Sequence, residues 1–310
     1  MTAALVSTGP IGTNLYMRYR NQLLLMLAPF LLGLIVLVVL PATASLAVAF
    51  FNYTPLHPAG FTWDGLGQFS QLQADSQFWR ALSNSLLYTL FSVPLRMVGI
   101  LGLSLFLEKR RKGIGTVRAA AYLPTIIPDV AYALTWLWIV NPLFGPINQI
   151  LRALHLPAQS WLIQPAGALG IVVGMSVWQI GEGVVITLAA LRDVPQDLYD
   201  AALTDGAGWW MRLRALVLPL IAPTFLLLLF RTTIVSLQDN FAPSYILTHD
   251  NPTFLNYAIY FLPLKIYTEA FQNFRFSYAA AIIWVMYGVT ALIVFFQYIA
   301  TRRWSEAAYD

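Results

Sequence analysis

Six long apolar runs, well separated along one chain, leave this sequence few ways to fold. They extend from Leu23 to Ala49, Ala81 to Leu107, Ala119 to Val140, Ala166 to Leu191, Leu216 to Leu237 and Phe276 to Ala300. A helix needs about 20 such residues to cross a bilayer, where every backbone N–H and C=O must be satisfied within the segment. The expected fold is an all-α polytopic membrane protein with six transmembrane helices. Charge content agrees, since 10% of the 310 residues are charged against about a quarter in a soluble domain. Pro29, Pro94, Pro124, Pro128 and Pro223 fall inside the runs and predict kinks or local unwinding. The first run ends in small residues, "PATASLAVAF", that resemble a cleavage site. It is nevertheless too long for the apolar core of a signal peptide.

Basic residues accumulate on the cytoplasmic side of membrane proteins. With the N-terminus inside, Arg18, Arg20, Lys109, Arg110, Arg111, Lys112, Arg118, Arg192, Arg212, Arg214, Arg302 and Arg303 all fall there, twelve of the 18. Both termini are therefore expected in the cytoplasm. The organisation read from this is a cytoplasmic segment over 1–22, one transmembrane domain over 23–303 with a cytoplasmic loop at 192–219, and a tail at 304–310.

The loops on the other side have their own character. Phe50 to Phe78 is aromatic and small-polar, and Ile147, Ile150, Leu151 and Leu154 stand at helical spacing, as in an amphipathic interfacial helix. Gln238 to Arg275 is long, with Pro243, Pro252 and Pro263 among many tyrosines, and long ordered loops often carry function. The aromatics are equally explained as an interfacial belt.

The most polar stretch of the second half, "DAALTDGAGWWMRLRALVLP", lies in the cytoplasmic loop. Asp193 can cap a helix, Pro195 suits a first turn and Gly206 is a natural stop, with a second short helix expected over Trp209 to Leu218. Such a knob has little to bury in its own chain, so its apolar side chains call for a groove in another protein.

This stretch resembles the signature loop of the permeases of binding-protein-dependent ABC importers. That signature runs Glu-Ala-Ala, three residues, Gly, nine residues, Ile, one residue, Leu-Pro. Here Asp200, Ala201 and Ala202 precede Gly206, and Leu216, Val217, Leu218 and Pro219 follow at the required spacing; Asp205, Gly206 and Ala207 match the frequent Asp-Gly-Ala inside it. "GLGQFSQLQADSQFWRALSNSLLY", "RAAAYLPTIIPDVAYALTWLWIVNPLFGPINQIL" and "YTEAFQNFRFSYAAAIIWVMYGV" are similar to segments of the carbohydrate-type, maltose/glycerol-3-phosphate permease-like branch. The chain departs from the branch at "LTHDNPT", where Thr-Gly-Gly-Gly-Pro is common. The resemblance implies the type I importer permease architecture, with the signature residues docking on a cytoplasmic ATPase and coupling it to the spans. It further implies a second permease subunit, two copies of the ATPase, an external solute-binding protein, and a carbohydrate-like solute.

An ionisable residue inside a span is costly and marks a functional site by default. Arg96, Asp129, Glu182 and Arg231 qualify, with Asp239 at a span end. Glu182, flanked by glycines, forms with Gln179 and Trp178 the best candidate lining of a solute path, and Asp129 follows Pro128, where a helix break would expose backbone groups. Alternatively, Arg96 and Arg231 pair with Asp129 or Glu182 and only hold helices together.

The sequence has no G-x-x-x-x-G-K-[ST] loop, so ATP and Mg are expected on partner subunits and no cofactor on this chain. It has no cysteine, and His57, His155 and His249 are scattered, so no metal site is expected. Nothing points to nucleic acid, and the apolar spans require a lipid membrane around them. No catalytic cluster supports a membrane enzyme, and no internal repeat supports a secondary transporter working without ATP, which stands as the alternative.

Overall fold

The computed structural model describes residues 11–56, 60–108, 112–249 and 257–306. The chain is helical apart from one two-stranded antiparallel ribbon, β1 (Phe51–Asn52) paired with β2 (Thr62–Trp63). In chain order the α-helices are α1 (Ile11–Leu34), α2 (Leu40–Val48), α3 (Gly67–Ala74), α4 (Ser76–Glu108), α5 (Ile114–Tyr122), α6 (Asp129–Ile139), α7 (Pro146–Ala153) and α8 (Pro165–Trp178). They continue with α9 (Gly181–Arg192), α10 (Gln196–Thr204), α11 (Trp209–Arg212), α12 (Leu218–Gln238), α13 (Phe241–His249), α14 (Leu262–Tyr267) and α15 (Phe276–Glu306). The basic cluster Lys109 to Arg111, the tail beyond Glu306 and most of "LTHDNPT" lie outside the described residues.

Among the described residues four helices are long and apolar enough to cross a membrane: Gln22–Val48, Ser76–Glu108, Trp209–Thr248 and Phe276–Arg302. The pair α8 and α9, bent by 42°, qualifies as a fifth. The third apolar run behaves differently. Instead of one helix over 119–140, it forms α5, a 3₁₀ turn at Leu123–Ile126 and α6. The cause is its two prolines. Pro124 lies in the 3₁₀ turn, and Pro128 disfavours helical backbone at Ile127, which is extended with ψ 128°.

A second difference concerns the expected short helix over Trp209 to Leu218. α11 continues through a π-turn at Leu213–Val217 into α12, so this segment is the start of a span. Pro219 lacks an N–H and would clash in a regular turn. The π-turn immediately before it accommodates the proline, with Leu218 N–H reaching back five residues to the Leu213 carbonyl. The same device occurs ahead of Pro41, where the π-turn Ile35–Val39 joins α1 to α2 and Leu40 N–H reaches the Ile35 carbonyl.

α4 is the hub. It packs against α8, α9, α12 and α14, while α12 also packs on α15. The buried residues Val93, Met97, Ile100, Val184, Leu188 and Leu228 seal the middle of α4 against α9 and α12. The first span is the exception: the 18-residue window that marks Gln22–Val48 as apolar is 0% buried, so its side chains are left to lipid or another chain.

Where α4 and α15 begin, a charged network replaces apolar packing. Asp75 caps α4 by accepting from the N–H groups of Gln77 (2.8 Å) and Phe78 (3.2 Å). Its other oxygen accepts from Tyr278 (2.6 Å) and pairs with Lys265 (2.9 Å). Lys265 also pairs with Glu269 (2.7 Å), which holds Arg275 (3.2 Å). Lys265 and Glu269 are buried, and a buried charge is tolerable only when paired and hydrogen-bonded.

Candidate functional site

The residues singled out within the spans converge on one cavity of about 210 Å³, walled by α4, α6, α8, α9 and α12. Arg96, Asp129, Gln179, Glu182, Arg231 and Asp239 all line it. Trp178 does not; it is 63% exposed and outside the lining.

Local packing explains how Glu182 reaches the cavity. α9 starts at the bend after Gln179, and its first turn presses against neighbouring backbone. A Cβ on Gly181 would stand 2.6 Å from the Ala121 carbonyl oxygen and 2.7 Å from Tyr122 Cα. A Cβ on Gly183 would stand 2.4 Å from Ile100 Cδ1. The glycines flanking Glu182 therefore let the start of α9 seat itself between α4 and α5.

Opposite, Arg231 of α12 meets Glu182 at 2.8 Å, with side chains 50% and 47% exposed. The pair faces open space and is not sealed into a helix contact. Among the described residues Arg96 makes no ion pair within 4.0 Å, and its Nε is buried without a hydrogen bond. Asp129 opens α6 directly after Pro128, and Asp239 closes α12. Among the described residues neither carboxylate makes a side-chain hydrogen bond or an ion pair within 4.0 Å.

Several further residues of the wall, Tyr88, Tyr132, Ser176, Ser236 and Asn240, were not singled out from sequence. A signal for one of them existed. Tyr88, Ser92 and Arg96 recur every fourth residue on α4, one polar face of an apolar helix, and Arg231, Val235 and Asp239 do the same on α12. Tyr132 donates to the Met175 carbonyl at 2.8 Å and ties α6 to α8 beside the cavity.

The signature stretch forms a second site, beside the far end of α4. α10 carries Asp200, Ala201 and Ala202 and stops at Asp205. Gly206 follows with φ +76°, the left-handed backbone that favours glycine. Gly206 N–H donates to the Leu203 carbonyl (3.0 Å) and Ala207 N–H to the Ala202 carbonyl (2.9 Å), the two bonds of a Schellman C-cap. Beyond the turn, Val194, Leu213, Val217 and Ile221 bury themselves with Leu191, joined by Leu101 and Leu105 of α4, while Leu216 and Leu218 are half-buried and Pro219 starts α12. Leu203, Trp209, Trp210 and Met211 remain more than half exposed. The knob is anchored on one side and apolar and uncovered on the other.

No family model matches the chain. Curated relatives do. A probable ABC transporter permease protein, YesP of Bacillus subtilis, is 31% identical over 90% of this chain and 89% of its own length. The trehalose/maltose transport system permease protein MalF of Thermococcus litoralis is 30% identical over 81% of this chain and 85% of its own. Among solved structures, a chain of a bacterial alginate ABC transporter superposes with TM-score 0.80 at 25% identity, covering 93% of this chain and 96% of that one. That transporter was crystallised in complex with an alginate pentasaccharide-bound periplasmic protein.

Proposed function

The chain belongs to the permease subunits of carbohydrate-type ABC importers, and from that premise we propose that it forms half of the membrane pathway of an ATP-driven sugar or polyol importer. In this reading the chain crosses the inner membrane six times with both termini in the cytoplasm. The four long helices and the bent α8–α9 pair supply five crossings, and the interrupted α5–α6 segment the sixth. A second permease subunit completes the pathway, two copies of a separate ATPase sit beneath it, and an external solute-binding protein delivers the solute. ATP and Mg bind on the ATPase chains.

The observation that carries this reading is the capped turn at Gly206. It holds Asp200 to Ala207 on an anchored base and leaves an apolar surface uncovered, as a docking knob requires. Asp200, Ala201, Ala202, Asp205, Gly206 and Ala207 would meet the ATPase, and Leu216, Leu218 and Pro219 would pass its movement into α12. Glu182, Gln179 and Asp129 would face the solute within the membrane. Trp178 has no part in the cavity wall on this chain, and its exposed ring is available to the second permease.

Purification from the native membrane in mild detergent tests the assignment. A P-loop ATPase should co-purify and be lost from a D205A/G206V variant that still inserts. Recovery of this chain alone, moving solute into vesicles without ATP, would refute it.

A further inference from the structure

The cavity wall holds five formally charged side chains: Arg96 and Arg231 against Asp129, Glu182 and Asp239. Two guanidiniums and three carboxylates leave a formal balance of about −1 when all are ionised. The acids share a structural position. Asp129 is the first residue of α6, Glu182 the second of α9, and Asp239 lies two residues ahead of Phe241, where α13 starts. Each acid stands at a helix that begins beside the cavity. A helix N-terminus carries about +0.5 of a charge, but α8 also ends at Gln179 and α12 at Asp239 with about −0.5 each, so the helix termini together set about +0.5 against the side chains' −1. The sum is close to neutral. Without the acids, the same helix starts and both guanidiniums would make a strongly anion-binding space.

Within that balance, hydrogen-bonding capacity of both kinds is left over. Arg231 is committed to Glu182 at 2.8 Å, whereas the Arg96 Nε has no partner. Asp129 and Asp239 offer carboxylate oxygens with no side-chain hydrogen bond or ion pair within 4.0 Å among the described residues. Free donors beside free acceptors with little net charge match hydroxyl groups, which both donate and accept.

We propose that this cavity is balanced for an uncharged polyhydroxyl solute and excludes sugars that carry a carboxylate or phosphate. This rests on the reading that solute passes through the cavity. It sets the chain apart from its structural neighbour, whose named solute, alginate, is an acidic polysaccharide. The three carboxylates act as specificity residues by cancelling the attraction of the helix starts for anions. A carboxylate or phosphate entering this space loses its hydration with no net opposite charge to offset the loss, and is expected to bind about tenfold more weakly than a neutral sugar.

The chain contains no cysteine, so Q179C places a single thiol of this chain on the cavity wall. The assembled transporter, with its partner subunits but without the external binding protein, is labelled with a thiol reagent, and labelling is scored on this chain alone. The probes are a panel of neutral di- and trisaccharides and the uronate oligosaccharides of matching length. Neutral sugars should protect the thiol at concentrations about tenfold lower than uronates. Adding D129N and D239N should abolish or reverse that preference. Uronates that protect as well as neutral sugars, or a preference unchanged by the two Asn substitutions, would overturn the charge assignment alone. If neither class protects while the same assembly, supplied with its binding protein, imports solute, the cavity is not the pathway and the functional reading of it falls as well.

Discussion

The phenol of Tyr278, in the first turn of the last span, donates a 2.6 Å hydrogen bond to Asp75, which caps the second long helix 203 residues earlier in the chain. With Lys265 and Glu269 beneath it, this bond ties the starts of α4 and α15 into one body.

Asp75 should make stability acid-sensitive. Burial opposes its charge, but hydrogen bonds from Tyr278, Lys265 and the Phe78 backbone outweigh this and lower its pKa from 3.8 to about 2. A carboxyl lowered in the folded state contributes stability that is present above its unfolded pKa and lost as pH falls through the folded one. Thermal unfolding in detergent should therefore show wild type more stable than D75N at pH 7. The gap should close between about pH 4 and 2. A constant gap across that range would refute the charge-based account.

The Arg231–Glu182 pair should matter more to transport than to stability. Both side chains are about half exposed to the cavity, and such pairs contribute only about 0.2–1 kcal/mol. R231M and E182Q should each lower the melting temperature slightly while reducing transport severely, measured as ATP-dependent uptake in proteoliposomes. A large loss of stability with normal uptake by the surviving protein would assign the pair to helix packing.

Gly206 should tolerate volume but not a β-branched side chain. A Cβ there meets nothing within 4 Å, so the restriction is its φ of +76° alone. Valine should cost about 1–2 kcal/mol in the turn and uncouple ATP hydrolysis from transport, with membrane insertion retained. Asparagine, which visits this conformation readily, should stay coupled. Equal behaviour of the two variants would count against the turn geometry as the cause.

The two glycines around Glu182 should differ. At Gly181 a methyl group meets backbone atoms of Ala121 and Tyr122, whereas at Gly183 it meets the Ile100 side chain. A side chain can rotate away more easily than backbone can move. G181A should cost about 1–3 kcal/mol in thermal stability and G183A less, with I100V recovering part of the G183A loss. An I100V effect on G181A instead would show that this packing has been misassigned.

The class of fold was legible because apolar run length is read directly, and the turn after α10 because Gly206 has a backbone requirement that few residues meet. The cavity was only half legible. Glu182 and Asp129 stand out as charges in apolar helices, yet Tyr88 and Asn240 are ordinary residues that become cavity wall only once α4 and α12 face each other. Trp178 shows the converse: although next to Gln179 in sequence, it is exposed and lies outside the cavity lining. The charged network around Lys265 was invisible, because its partners lie up to 204 residues apart. The extension of the fifth span down to Trp209 was missed because Pro219 reads as a boundary, and only the π-turn before it lets the helix pass.

That uninterrupted passage has a mechanical meaning. From Trp209 to Gln238 the backbone is one rod of 30 residues, about 45 Å long at 1.5 Å per residue. Its near end emerges from the capped turn, and Arg231 and Asp239 ride on its far half. A tilt or twist imposed at the turn would be carried along the same winding to the cavity wall, with Pro219 and Pro223 as the points where it can give. The extra residue wound in at Leu213–Val217 fixes the rotational phase between the two ends. Lengthening or shortening that coil by one residue would swing the wall by roughly 100° relative to the turn, leaving each end intact and the two out of step.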